Sequence, residues 1–310
     1  MRLVGCLFLV TTLLLSACGQ SSGANTTNGK LNVVVTTQQL ADAVQQVAGD
    51  RINLTSLLGP GVDPHTYVAT EGDILKFEDA NLIFYNGLML EAQMNRIFEQ
   101  LGKNGQIKVV GVGNRLDPST LLNWEPESGL PYDPHIWNDV RQWQEVVKTI
   151  RDTLSEQDPT NAATYQANTT RYLGELDQLH SYILEQVQRI PTERRILVTA
   201  HDAFNYFGRA YGLEVQAIQG ISTQSEASAA DIQALSNLVV SRKIPAIFVE
   251  STISPRTIEA VKAAASANGQ DVTIGGELFS DAMGAPGTPQ ATYIGMMRHN
   301  IDTIVAALAS

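Results

Sequence analysis

Cysteine is almost missing from this chain: there are two in 310 residues, Cys6 and Cys18, both ahead of the first segment with the pattern of folded structure. A disulfide framework or a cysteine-built metal centre is thereby excluded from everything that follows residue 18. Positive charge is also short. Lys and Arg number 21 against 32 Asp and Glu, a formal net charge of -11, and a phosphate backbone demands clustered cations. Nucleic acid is therefore not an expected partner. Long apolar runs are confined to residues 3–15, a stretch too short for a comfortable transmembrane helix. Histidine is sparse at five copies, so the placement of each one carries information.

The N-terminus reads as an export signal. Arg2 precedes the apolar stretch, and Leu15-Ser16-Ala17-Cys18 closes it with small residues ahead of a cysteine. This resembles a bacterial lipobox, with residues 1–17 removed and Cys18 lipidated. A polar run of Ser, Gly, Asn and Thr then fills residues 18–30, the composition of a flexible tether. The alternative is an ordinary signal peptide with an incidental cysteine.

What the chain does possess is a repeated tripeptide. Asp63-Pro64-His65 and Asp133-Pro134-His135 each carry an aromatic two residues on, Tyr67 and Trp137. Proline fixes its own backbone and pushes the residue before it extended, so each imidazole sits on a stiff turn. Two stiff turns presenting imidazoles suggest two ligands converging on one ion.

Around these turns, short β-branched runs alternate with helical periodicity. Strands are expected at 31–35, 52–57, 82–85 and 107–112. Helices are expected at 38–48, capped by Thr36 or Thr37, from the Thr70/Asp73 capping box toward Ala80, at 90–101 and at 139–154. A long loop with three prolines covers 114–133. Asp158-Pro159 starts a helix of about thirty residues with an apolar stripe of Tyr165, Tyr172, Leu176, Leu179, Ile183 and Val187. Beyond it the βα alternation resumes, with strands at 195–199, 214–218, 244–249 and 272–274. Helices are expected at 203–211, 228–241, 255–268 (Ser254 as cap) and 289–308. The expected fold is α/β: a lobe at 31–157, a rigid linking helix at 158–190 and a second lobe at 191–310, with mostly parallel sheets.

Ligands of open parallel sheets gather beyond the carboxyl ends of strands. His65 follows the second strand by a loop, His201 ends the first strand of the second lobe, Asp281 lies a few residues after a strand, and His135 sits just ahead of a helix start, so all can reach a cleft between the lobes. Three imidazoles and a carboxylate suit a divalent ion of borderline character. Each also has a plain alternative: a solvated loop histidine for His65 or His135, a core histidine for His201, a turn cap for Asp281. His180 and His299 lie on helical faces away from strand ends and read as surface or structural residues.

Four motifs bear a family resemblance. Asp63-Pro64-His65-Thr66-Tyr67, continuing into Asn81 to Gly87 and Glu91, resembles the first motif of zinc/manganese solute-binding lipoproteins of bacterial ABC importers. Asp133 to Trp137 resembles their second motif and Thr199 to Phe207 their third. Ser280-Asp281, followed by Gly287, Tyr293, Met297 and Asn300, resembles their fourth. The resemblance implies a two-lobe fold with a backbone helix and one buried ion in the cleft, held by His65, His135, His201 and Asp281. It implies a monomer, lipid-anchored at the outer face of the cell membrane or in the periplasm, that hands its ion to a permease. A histidine at position 201, where manganese-type members commonly have glutamate, favours zinc. The absence of a histidine-rich loop at 114–133 keeps manganese in play. A competing class is a metal-dependent hydrolase, with Glu250 as general base; otherwise Glu250 accepts a hydrogen bond from a ligand imidazole. Some members have been described as adhesins, but no adhesive surface is legible here.

Overall fold

The computed structural model describes residues 29–124 and 131–309. The expected signal peptide, Cys18 and nearly all of the tether lie outside the described residues.

Four strands open the fold: β1 (Leu31–Val35), β2 (Ile52–Ser56), β3 (Leu82–Tyr85) and β4 (Lys108–Gly111). They form one parallel sheet in the order β2-β1-β3-β4. Helices α1 (Gln38–Ala48), α2 (Glu71–Glu78) and α3 (Asn95–Asn104) make the crossovers. The Thr37 hydroxyl caps α1 by accepting from Leu40 N, and Thr70 with Asp73 forms the expected capping box on α2. Apolar side chains on both faces of β1 and β3 are buried, as a parallel sheet covered on each side requires.

Helix α3 begins later than its periodicity predicts. Gly87, Leu88 and Met89 all have positive φ, at 79°, 53° and 66°, a conformation that side chains disfavour. Buried Glu91 holds this turn. Its Oε1 accepts from Asn86 N and Thr36 Oγ1, both at 2.7 Å, and its Oε2 accepts from Gly87 N at 3.1 Å. A short 3₁₀ turn at Ala92–Met94 follows before the α-helix can start.

Helix α4 (Val140–Gln157), capped by Asp139, leads to a 3₁₀ turn at Pro159–Asn161 and then to α5 (Ala162–Val187), 26 residues long. The expected start at Asp158 moves to Ala162, because Asp158 closes α4 and its carboxylate accepts from Tyr165 and Asn161. Tyr165, Thr169, Tyr172, Leu176, Leu179, Ile183 and Val187 are buried along one stripe of α5, which packs on α1, α4 and the last helix of the chain.

The second half comprises β5 (Ile196–His201), α6 (Asn205–Tyr211), β6 (Glu214–Gln219), α7 (Ala229–Ser241), β7 (Ala246–Glu250), α8 (Arg256–Ala267), β8 (Thr273–Leu278) and α9 (Tyr293–Leu308). Its strands form two parallel pairs, β5-β6 and β7-β8, with β5 beside β7. Ser254 does not cap α8 with its side chain: the cap residue is Pro255. At 289–291 the chain makes a 3₁₀ turn, so α9 starts at Tyr293, capped by the Thr292 hydroxyl. One apolar core runs through both lobes along α5, joining Leu40, Trp143 and Tyr172 to Phe204, Phe248 and Met297. No helix among the described residues is long and apolar enough to cross a membrane.

Candidate metal centre

His65, His135, His201 and Asp281 come from four separate segments and converge in the cleft. One ligating atom from each can be chosen so that all lie within 4.8 Å of one another, and all four residues are buried. His65 Nε2 is 3.2 Å from His135 Nε2. Asp281 sends Oδ1 to 3.4 Å from His135 Nε2, and Oδ2 to 3.7 Å from His65 Nε2 and 3.2 Å from His201 Nε2. Bonds of about 2.0–2.1 Å from a tetrahedral ion place its donors about 3.3–3.4 Å apart. Four of the donor contacts, at 3.2–3.7 Å, lie close to that spacing.

Its polar atoms lack other partners. Asp281 Oδ1 and Oδ2 and His201 Nε2 are buried without a hydrogen bond, and the 3.2 Å approach of His201 to Asp281 is not aligned for one. Buried polar atoms left unpaired are costly, and a cation in their midst satisfies all three.

The surroundings orient each ring differently. Glu250, at the end of β7, accepts from Ala200 N and His201 N through Oε1 and lies 2.5 Å from His201 Nδ1 through Oε2. Both of its oxygens are committed behind the imidazole, on the side away from the cluster. That geometry makes Glu250 an orienting acceptor with neither oxygen free to serve as a general base. Asp133 backs His135 in the same manner. Its Oδ1 is 2.8 Å from the ring Nδ1 and accepts from His135 N at 2.9 Å. Sequence reasoning credited the Asp of each repeat only with backbone stiffness and missed this carboxylate; an acid two residues before a ligand-type histidine was the available signal. Asp63 does not repeat the arrangement, for its Oδ1 takes only His65 N while Oδ2 takes Thr66 Oγ1 and Thr223 Oγ1.

The two aromatics of the repeat also part ways. Trp137 is buried against the edge of His135 and donates to Ser280 O, whereas the Tyr67 hydroxyl donates to Asp73 in the α2 cap. His180 contacts the Tyr211 hydroxyl, and His299 reaches Gln290 and the Glu277 carbonyl, both away from the cluster.

Burial and charge pull the site's ionisations apart. Burial disfavours the charged form of His65 and, with the neighbouring imidazoles, outweighs the pull of Asp281, lowering its pKa to about 3. Burial acts the same way on His201, but Glu250 and Asp281 outweigh it and lift its pKa well above 6.5. Asp281 is pushed up by burial yet held far below the usual carboxylate range by His201, His135 and His65. The site is thus a pre-paid hollow for positive charge.

Comparison with known proteins agrees with this chemistry. Residues 33–307 match the family described as zinc-uptake complex component A periplasmic. The zinc-binding protein TroA of Treponema pallidum is 48% identical over 282 residues, covering 91% of this chain and 90% of that protein. The manganese-binding lipoprotein MntA of Bacillus subtilis is 40% identical over 303 residues, 97% of each chain. The solved structure of periplasmic zinc-binding TroA superposes with a TM-score of 0.88, covering 91% of this chain and all of that one.

Proposed function

The chain belongs to the zinc-uptake complex component A periplasmic family, and on that premise we propose that it captures a divalent transition-metal ion outside the cytoplasm and delivers it to an ABC importer permease. His65, His135, His201 and Asp281 are its ligands. The observation that carries this reading is a buried, preassembled three-imidazole, one-carboxylate cluster whose Asp281 oxygens and His201 Nε2 have no hydrogen-bond partner. Capture rather than turnover is the task, with Glu250 locked behind His201 and unable to activate a water.

Zinc is the preferred cargo, since three nitrogen donors suit a borderline ion better than an oxygen-loving one. Manganese is the second candidate: both oxygens of Asp281 face imidazoles, which permits a fifth bond. Cys18 carries the lipid that holds the monomeric protein at the outer face of the membrane, and mass spectrometry of membrane-extracted protein tests that attachment.

Calorimetric competition between Zn²⁺ and Mn²⁺ on chelator-stripped protein, with a His201→Glu variant alongside, tests the cargo. One-to-one zinc binding that manganese fails to displace, weakened by the substitution, is expected. Equal manganese binding would reverse the preference, and no binding of either ion would sink the proposal.

A further inference from the structure

The segment that carries His65 is tied to the opposite lobe by the loop between β6 and α7. Thr223 Oγ1 donates to Asp63 Oδ2 at 2.6 Å, and Gln224 Nε2 donates to the His65 carbonyl at 3.2 Å. Outside the donor cluster, these are the cross-cleft hydrogen bonds of residues 57–70 among the described residues. Both bonds are only partly buried, and Gln224 itself is exposed.

Position 135 presents the opposite situation. Its segment is bonded across the cleft by Tyr206 to Asp133 O, Asn138 to Ala203 O, Trp137 to Ser280 O and Tyr293 to Trp137 O, all buried. His201 is fixed by Glu250 from within its own lobe. Among the described residues no carboxylate backs the His65 ring, and its side chain is the one histidine of the cluster with any solvent contact, 2% against 0% for the other two.

A buried ion leaves when one donor withdraws first, and the donor with the weakest hold sets the cost of that step. We propose that Thr223 and Gln224 are positioning residues that latch the His65 loop shut, so that His65 is the first donor to release the ion and this latch sets the dissociation rate. Asp63 is the hub: one oxygen holds the His65 amide and the other holds Thr223, so the hydroxyl acts on the ligand through a single carboxylate. A partner that engages the β6–α7 loop therefore has a direct lever on cargo release. The inference rests on the cargo reading above, and its test separates the two.

The experiment is a stopped-flow chase of zinc-loaded protein with excess chelator, paired with association kinetics, on wild type, Thr223→Val, Thr223→Ser and Gln224→Ala. The protein used for these measurements starts at residue 19, which leaves out the lipid-bearing cysteine and keeps both lobes. A net hydrogen bond corresponds to about a two- to tenfold change, so Thr223→Val is expected to speed dissociation by about that factor. Association should stay unchanged, the thermal midpoint of the metal-free protein should hold, and Thr223→Ser should restore the wild-type rate. Gln224→Ala should act in the same direction. Unchanged dissociation in both Thr223→Val and Gln224→Ala overturns the latch, as does a loss of affinity carried by slower association. Wild-type protein that fails to bind zinc one-to-one overturns the cargo reading itself, and the latch with it.

Discussion

At Asp133-Pro134-His135 the aspartate folds back onto its own histidine ring, while at Asp63-Pro64-His65 the same carboxylate reaches across the cleft to Thr223. The first segment is buried and bonded into the second lobe through Tyr206, Asn138, Trp137 and Tyr293. The second leaves Val68 at 66% exposure and keeps its aromatic, Tyr67, for a helix cap. Identical tripeptides thus sit in a segment bonded across the cleft by buried groups and in one bonded across it by partly buried ones. The difference teaches that a local motif sets how a ligand is presented, whereas the packing around it sets how firmly the ligand is held.

The comparison is broken most severely at its aromatics. Trp137→Ala removes a fully buried indole and its bond to Ser280, and should cost about 3–5 kcal/mol in denaturant unfolding. Val68→Ala, in the His65 segment, should stay within about 0.5 kcal/mol. Equal losses would deny the two segments different holds.

A gentler cut exchanges the carboxylates. Asp133→Asn should weaken zinc affinity about 10- to 100-fold by removing the charge that backs a ligand ring. Asp63→Asn should change it only about two- to tenfold, because it disturbs the Oδ2 bonds to Thr66 and Thr223 but removes no charge from behind a ligand ring. Competition titration with a chromophoric chelator reads both, and a larger effect at Asp63 would invert the assignment.

The pH dependence of capture should come from His201 and not from His65. The raised pKa of His201 means that metal-free protein holds a proton there at neutral pH, which the ion must displace. Affinity should therefore rise with pH, by about tenfold per unit while one proton is released. His65, held at about 3 by burial, is already neutral in that range and adds no slope. Calorimetry in buffers of differing ionisation enthalpy counts the protons. Zero release would mean that His201 is neutral before the ion arrives.

A smaller effect than the loss of a ligand or its backing carboxylate is expected at Tyr67. Burial raises the Asp73 carboxyl, but hydrogen bonds from Tyr67, Lys76 and Thr70 outweigh it and hold it below its ordinary value. Its stabilising share is present above the unfolded value of 3.8 and is lost as pH falls through the lower folded value. Tyr67→Phe should cost about 0.5–1.5 kcal/mol at neutral pH, and less in acid. Thermal melts of the metal-free protein across pH check both statements.

Much of this architecture was legible from the chain alone. Strand β3 and helix α1 fall on the expected residues, and the Thr70/Asp73 box opens α2 as its spacing requires. Periodicity and capping are local, so sequence records them. The late start of α3 was not legible, because Glu91 holds Gly87 to Met89 in left-handed backbone by bonding the nearby Asn86 and Gly87 amides together with Thr36, 55 residues away at the end of β1. Nor was the shared core along α5, which depends on how two lobes meet.

Sequence by itself determined the candidate donors. Stiff Asp-Pro-His turns, a histidine ending a strand and an aspartate after another were enough to name four residues and the α/β frame that gathers them. Tertiary structure alone decided how those donors are held. Asp63 and Asp133 are each followed by Pro-His, and a carboxylate takes whichever donor the fold brings within reach: its own histidine ring at 135, a threonine 160 residues away at 63.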